Sequence, residues 1–195
     1  MPQDQDRRLW FDPTQLPSFT GVVERYLINP EGKIDRLVFR EGPQVILPDP
    51  VGTDVMAAVP VGKDIMVWGI RARQAPVITM LAWAPNAETP PRFVERPSWG
   101  IGGYHAGTEA LQVEGEVSAT LLTPQGVSMG AILADGTVLR LPPAVAQAVG
   151  DRLSAGRHVA AAGHGLRNDK GTAIDVERLG DTPQALQPLP AGQTP

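Results

Sequence analysis

Cysteine is absent from the 195-residue sequence. This absence excludes disulfide bonds, thiolate zinc sites and a cysteine nucleophile. Long apolar runs are absent as well. No stretch approaches the roughly 18 residues that a membrane-spanning helix needs, and no apolar run follows the charged N-terminus as it would in a secretory signal. We therefore expect a cytoplasmic protein that makes no contact with a membrane.

Basic residues are scarce. The chain has 17 Lys and Arg against 21 Asp and Glu, which gives a net charge of −4, and only three of its basic residues are lysine. A protein that holds nucleic acid by its overall field is usually basic, so any site for a polyanion must be local. The sequence is rich instead in proline (20) and glycine (21). These residues favour many short elements joined by tight turns over long helices.

An internal repeat organises the chain. Residues 19–76 align without a gap on residues 113–170, at a constant shift of 94. Identical pairs include Gly21 and Gly115, Leu27 and Leu121, Pro30 and Pro124, Gly32 and Gly126, Gly69 and Gly163, and Arg73 and Arg167. The Pro-x-Gly spacing predicts the same tight turn in both copies, because proline fixes φ and glycine accepts a positive φ. The repeat therefore predicts two similar domains.

Each copy is predicted to contain five strands, with a short helix between the third and the fourth. After a long first strand, the later strands are expected at 33–40, 44–47, 65–73 and 77–83, and at 127–134, 138–141, 158–166 and 172–179. The helix is clearest at 143–153, where Pro143 opens a run of good helix formers. This order resembles the OB-fold, a five-stranded Greek-key barrel that binds oligonucleotides or oligosaccharides.

The resemblance implies a mainly β protein of bacterial type with two tandem OB-like barrels. We expect an N-terminal arm (1–16), barrel 1 (17–86), a partly ordered connector rich in proline and glycine (87–110), barrel 2 (111–180) and a disordered tail (181–195). Trp10 and Phe11 are expected to dock the arm on barrel 1, and the aromatic residues of the connector to pack across the barrels. A pair of SH3-like barrels is the alternative, which the helix at 143–153 disfavours.

Alternation along the strands predicts which side chains face outward. Because the repeated Gly21, Val23 and Leu27 are odd-numbered, the even-numbered residues of the first strand are expected on the outside, and the fourth strand follows the same rule. The predicted binding residues of barrel 1, on this outer surface or the adjoining loop, are Tyr26, Arg36, Arg40, Trp68, Arg71 and Arg73. Barrel 2 lacks both aromatic residues at the matching positions, so function is expected in barrel 1.

This aromatic and arginine surface predicts a protein that binds single-stranded DNA or RNA, since OB barrels stack bases on aromatic side chains and contact phosphates with basic ones. The alternative is a protein-interaction or assembly module, including self-association. In that case Trp68, flanked by Met66 and Ile70, belongs to an apolar patch that another surface covers. The charge weakens the case for nucleic acid, because residues 17–86 are neutral overall and residues 111–181 carry −2. A small-molecule or carbohydrate ligand stays open as well.

Catalytic motifs are not found. The sequence has no phosphate-binding loop of the Gly-x4-Gly-Lys-Ser/Thr type and no Gly-x-Ser-x-Gly nucleophile elbow. His158 and His164 lie six residues apart on one strand, which separates them by about 20 Å, too far for one metal ion. We therefore expect a protein that is not an enzyme and that needs neither a metal nor a cofactor.

Overall fold

The computed structural model describes residues 12–94 and 108–190. Trp10 and Phe11, which are predicted to dock the arm, fall outside these described residues. So do Trp99 and Tyr104, two of the connector's aromatic residues that are predicted to pack across the barrels. Within the described residues no helix is long and apolar enough to span a membrane.

Barrel 1 follows a short 3-10 turn at Pro13–Gln15. Its elements are β1 (Ser18–Ile28), β2 (Ile34–Phe39), β3 (Gln44–Ile46), α1 (Val51–Ala58), β4 (Asp64–Arg71), β5 (Val77–Ala84) and β6 (Arg92–Phe93). β1 pairs with β2 and β4, β2 pairs with β3, and the parallel pairing of β3 with β5 closes the barrel. The sixth strand adds to the free edge of β5.

Barrel 2 repeats this arrangement. Its elements are β7 (Glu109–Leu122), β8 (Ser128–Leu133), β9 (Val138–Arg140), α2 (Pro143–Ala148), β10 (His158–Asn168), β11 (Gly171–Gly180) and β12 (Gln187–Pro188). The parallel pairing of β9 with β11 closes this barrel, and β12 adds to β11. Both predicted five-stranded barrels are therefore confirmed, with the strand order of an OB-like fold.

The predicted helices are present but short. The second begins at Pro143 as expected and ends at Ala148, and a separate 3-10 turn at Gly150–Leu153 takes the chain to Leu153. The interruption follows from Gly150, since glycine lowers helix propensity and favours helix ends. Each helix lies between the third and the fourth strand of its barrel, where the OB-like order places it.

Inward and outward side chains alternate along the strands, and the inward ones are apolar in both barrels. Val23, Leu37 and Ile65 are fully buried in barrel 1, and Val117 and Val159 take the positions of Val23 and Ile65 in barrel 2 with an exposure of 1% each. A fully buried side chain of this size stabilises the fold by roughly 1.5–3 kcal/mol. The inward direction of the repeated valines is as predicted.

The sixth strands were not predicted. Proline-rich residues 181–190 were expected to be disordered, yet they contain a 3-10 turn at Pro183–Ala185 and the strand β12. Leu189 packs against the core of barrel 2, and its N–H donates to the Glu177 carbonyl at 3.0 Å. These apolar and hydrogen-bonding contacts order the segment, so the predicted tail is wrong for 181–190; residues 191–195 are outside the description.

Candidate functional site

A β-bulge in β1 changes the direction of Tyr26. The register shifts between Val23 and Arg25, and Tyr26 then stands opposite Leu37, a fully buried core residue. A bulge inserts one residue and reverses the alternation beyond it. The Tyr26 hydroxyl donates to the Val59 carbonyl at 2.7 Å, just after α1. The predicted outward position of Tyr26 is therefore wrong, and its side chain ties β1 to the helix.

Arg36 faces out of barrel 1 as predicted, but barrel 2 covers it. Its exposure is only 5%. One guanidinium nitrogen, Nη1, donates to Gln44 Oε1 at 2.7 Å and to the Leu122 carbonyl of barrel 2 at 2.8 Å. The prediction that Arg36 belongs to an open binding surface is therefore wrong, because the side chain is used in the contact between the barrels.

Gln44 completes this contact. Its amide Nε2 donates to the Thr120 carbonyl at 2.7 Å, and its Oε1 also accepts from the Leu122 N–H at 3.3 Å. Around the amide, Ile46 and Val77 of barrel 1 pack with Leu122 of barrel 2 in one buried apolar cluster. We call these hydrogen bonds and apolar contacts the inter-barrel contact. Among the described residues, no buried side-chain nitrogen or oxygen lacks a hydrogen-bond partner.

The two barrels meet through equivalent surfaces. The β1–β2 turn at Gly32 lies against Leu166, on the fourth strand of barrel 2. The equivalent turn at Gly126 lies against Ala72 and Ala75, in the β4–β5 loop of barrel 1. Since Ala72 and Leu166 are matched by the 94-residue repeat, the contact has an approximate two-fold symmetry, like that of an isologous dimer.

The positions of Arg36 and Arg140 depart from this symmetry. Arg36 stands opposite Ile46 in the β2–β3 pair, whereas Gly130 stands opposite Arg140 in the equivalent β8–β9 pair. The repeat aligns Arg36 with Gly130 and Ile46 with Arg140. Each barrel thus supplies one arginine to the same cross-strand pair, but from a different strand.

Arg140 carries a second link between the barrels. Its Nε and Nη2 donate to the two carboxylate oxygens of Asp175 at 2.6 and 2.9 Å, and Nη2 also donates to Glu31 of barrel 1 at 2.9 Å. The side chains of Arg140 and Glu31 are only 12% and 13% exposed. Such an ion pair is screened by water less than a surface pair.

Asp35 lies beside both arginines and responds to their charge. Burial raises the pKa of its carboxyl to about 6, against the opposing effect of the Arg36 and Arg140 cations; Glu31 adds to the rise. Burial also lowers the pKa of Arg36, although the Asp35 carboxylate opposes this. Burying a charge costs free energy unless opposite charges and hydrogen bonds compensate it. Asp35 and the hydrogen-bond acceptors of Arg36 compensate the charge of its guanidinium.

The inter-barrel contact occupies the face by which OB barrels bind their ligands. That face consists of the second and third strands together with the β1–β2 and β4–β5 loops. In this chain, residues of β2, β3 and both loops contact the other barrel. Each barrel therefore covers the OB-type ligand face of its neighbour.

The other predicted residues lie elsewhere. Arg40, Arg71 and Arg73 are exposed, and Trp68 is half-buried on the outer side of β4, as the alternation predicts. In the closed barrel β1 separates β4 from β2 on one side, and β3 with β5 separates them on the other. Trp68 and Arg36 therefore do not belong to one surface.

A row of paired residues defines the surroundings of Trp68. Ser18, Trp68, Ala82 and Phe93 stand opposite one another across β1, β4, β5 and β6. Phe93 is 49% exposed and Ile70, next but one to Trp68 on β4, is 57% exposed. We call Met66, Trp68, Ile70 and Phe93 the Trp68 face.

The site prediction omitted Phe93, because residues 85–94 were interpreted as the end of a barrel followed by a connector. The sequence nevertheless contains a signal for a sixth strand in each barrel. Val94 and Leu189 follow the two repeats at nearly the same distance, and the N–H of each donates to the fifth strand, to Leu81 and Glu177 respectively, at 3.0 Å.

The histidines of barrel 2 have separate partners. His164 Nδ1 lies 2.8 Å from Glu177 Oε1, and His158 Nδ1 lies 3.3 Å from the Asp181 carbonyl. Across residues 12–94 and 108–190, no group of three or more His, Asp or Glu side chains is placed to hold a metal ion.

No protein-family model matches the sequence, and the searches of curated proteins and of solved structures found no match either. The OB-like assignment therefore rests on strand order and barrel closure.

Replacing Arg36 by alanine is expected to lower the free energy of unfolding by about 3 kcal/mol, because it leaves the Leu122 carbonyl and Gln44 Oε1 without their buried cationic donor. The exposed Arg40→Ala variant is the matched control, with an expected change within about 0.5 kcal/mol. Urea unfolding at neutral pH measures both. Equal effects of the two substitutions would contradict the buried position of Arg36.

The pKa of Asp35 predicts a pH dependence of stability. Since this pKa is about 6 in the folded protein and about 3.9 in an unfolded chain, the folded state takes up the proton first as the pH falls. The free energy of unfolding should therefore rise, relative to that of Asp35→Asn, between about pH 7 and pH 5. Urea unfolding of both proteins across this range measures the difference, and a constant or decreasing difference would show that Asp35 is not desolvated.

Proposed function

We propose that this protein is a non-enzymatic binding module whose partner is another protein, docked on the Trp68 face of barrel 1. The observation that carries the proposal is the position of Trp68 and Phe93 on the outer side of β4 and β6, in a row of paired residues that contains no residue of the inter-barrel contact. Ile70 lies at the border of this contact, because its partner Thr79 also pairs with Ile46. The four apolar side chains of the Trp68 face lie on neighbouring strands, and two of them are about half exposed.

The comparison with barrel 2 supports a specific role for this face. The residues at the positions of Met66, Trp68 and Ile70 are Ala160, Ala162 and His164. The position of Phe93 is taken by Pro188, which closes the equivalent row of paired residues. Barrel 2 folds without large apolar side chains at these positions, so folding does not require them in barrel 1. Tryptophan and other aromatic residues are typical of binding hot spots.

Single-stranded nucleic acid is the competing partner. It is less well supported than a protein, because barrel 1 has no net positive charge and Arg36 is engaged between the barrels. The remaining predicted arginines, Arg40, Arg71 and Arg73, lie at the ends of strands or in a loop. A track of phosphate contacts beside stacked bases, as OB barrels use, would need basic side chains next to Trp68.

Photo-crosslinking from the Trp68 face tests the proposal. With p-benzoylphenylalanine in place of Ile70, we expect crosslinks to a protein in cells that make this chain, unaffected by nuclease. They should fall by at least about tenfold when Trp68→Ala is added, since truncating a hot-spot side chain costs about 2 kcal/mol or more. The same photoreactive residue at His164 in barrel 2 is the matched control and should not yield this product.

Two results would contradict the proposal. One is the same crosslinked protein from both positions, which would indicate nonspecific contact. The other is quenching of tryptophan fluorescence by short oligonucleotides that weakens with salt and disappears in Trp68→Phe, which would assign the face to nucleic acid.

A further inference from the structure

Strand β6 forms an edge of the barrel 1 sheet. Phe93 stands opposite Ala82, and the next residue, Val94, donates its N–H to the Leu81 carbonyl at 3.0 Å. In an antiparallel pair, hydrogen-bonded and non-hydrogen-bonded positions alternate. The N–H and carbonyl of Phe93 therefore point away from β5, and no strand among the described residues lies beyond them.

The equivalent edge of barrel 2 lacks this donor. Pro188 stands opposite Arg178, and Leu189 donates its N–H to the Glu177 carbonyl at 3.0 Å, which repeats the geometry of Phe93 and Val94. Proline has no N–H and is a common device for blocking strand addition at a sheet edge. At matching positions of the repeat, proline thus blocks the edge in barrel 2, whereas in barrel 1 no strand of residues 12–94 or 108–190 pairs with the outer side of Phe93.

The side chains of β6 present different chemistry on its two sides. Phe93 belongs to the Trp68 face. Arg92, on the opposite side of the strand, places its guanidinium carbon 4.9 Å from the centre of the Trp83 ring, so this exposed cation is held by a cation–π contact. A strand added beside β6 would lie about 4.8 Å away and present side chains alternately to Phe93 and to Arg92.

We infer that β6 receives an extended segment of the partner protein by strand addition, and that this segment alternates apolar with acidic residues. The inference rests on the proposed function and adds the form of its ligand. Backbone hydrogen bonds to Phe93 supply affinity, as in other strand-addition complexes. Apolar side chains beside Phe93, and acidic ones beside Arg92, supply specificity.

A synthetic heptapeptide of alternating valine and glutamate, labelled with fluorescein, is a suitable probe, and fluorescence anisotropy with the full-length protein measures its affinity. We expect Phe93→Ala to weaken binding about tenfold, through loss of the ring alone. Phe93→Pro, which copies Pro188, should weaken it at least tenfold more, because it also removes the N–H. Gln187→Ala, at the position of Arg92 in barrel 2, is the control and should leave the affinity unchanged because Pro188 still blocks that edge.

Modified peptides give a readout that does not depend on the folding of any variant. Methylation of alternate peptide amides should abolish binding to the wild-type protein, and replacement of glutamate by lysine should abolish it as well. Arg92→Glu should restore binding of the lysine peptide.

Two results would overturn strand addition. These are equal affinity of the methylated and unmethylated peptides, and no binding of the parent peptide at millimolar concentration. Neither result decides the proposed function, because crosslinking at Ile70 reports protein docking whatever form the partner takes. Conversely, peptide binding without a crosslinked protein in cells would count against the proposed function and leave the strand-addition chemistry intact.

Discussion

The hydrogen bonds of Arg36 and Gln44 to the Leu122 and Thr120 backbone of barrel 2 are the constraint on which the arrangement of the two barrels depends. They join the second and third strands of barrel 1 to the first strand of barrel 2. Because these strands belong to the surface on which OB barrels bind ligands, the contact removes that surface from solvent. Among the described residues, Trp68 and Phe93 of the Trp68 face lie outside this contact, which is why we propose the partner there.

Charge explains why this contact favours one arrangement. Arg36 is almost completely buried, and burial also raises the pKa of Asp35, the carboxyl that acts electrostatically on Arg36. Arg140 of barrel 2 adds an ion pair with Glu31 of barrel 1. A buried ion pair gives little net stability compared with apolar packing, but losing one partner is costly. We interpret the network as a device that fixes the relative position of the barrels, because a rotated contact would separate Glu31 from Arg140 and would leave the buried Arg36 without the Leu122 carbonyl.

The sequence was sufficient to predict the repeat, both barrels and the outward position of Trp68, because glycine-proline turns and strand alternation are local properties. Tyr26 was misplaced because a bulge reverses alternation and leaves no clear local pattern. The direction of Arg36 was correct, but its burial depends on a second domain, which alternation within one strand cannot report. Phe93 was missed because two-residue strands next to several prolines resemble a linker, although the edge of β5 gives them a pairing partner.

Methyl NMR can detect the position of barrel 2 over the second and third strands of barrel 1. In a sample labelled at Ile, Leu and Val methyl groups, we expect nuclear Overhauser contacts from Leu122 to both Ile46 and Val77, which form one buried cluster across the barrels. Absence of both contacts, while contacts within each barrel such as Val23 to Leu37 are retained, would contradict this position of barrel 2.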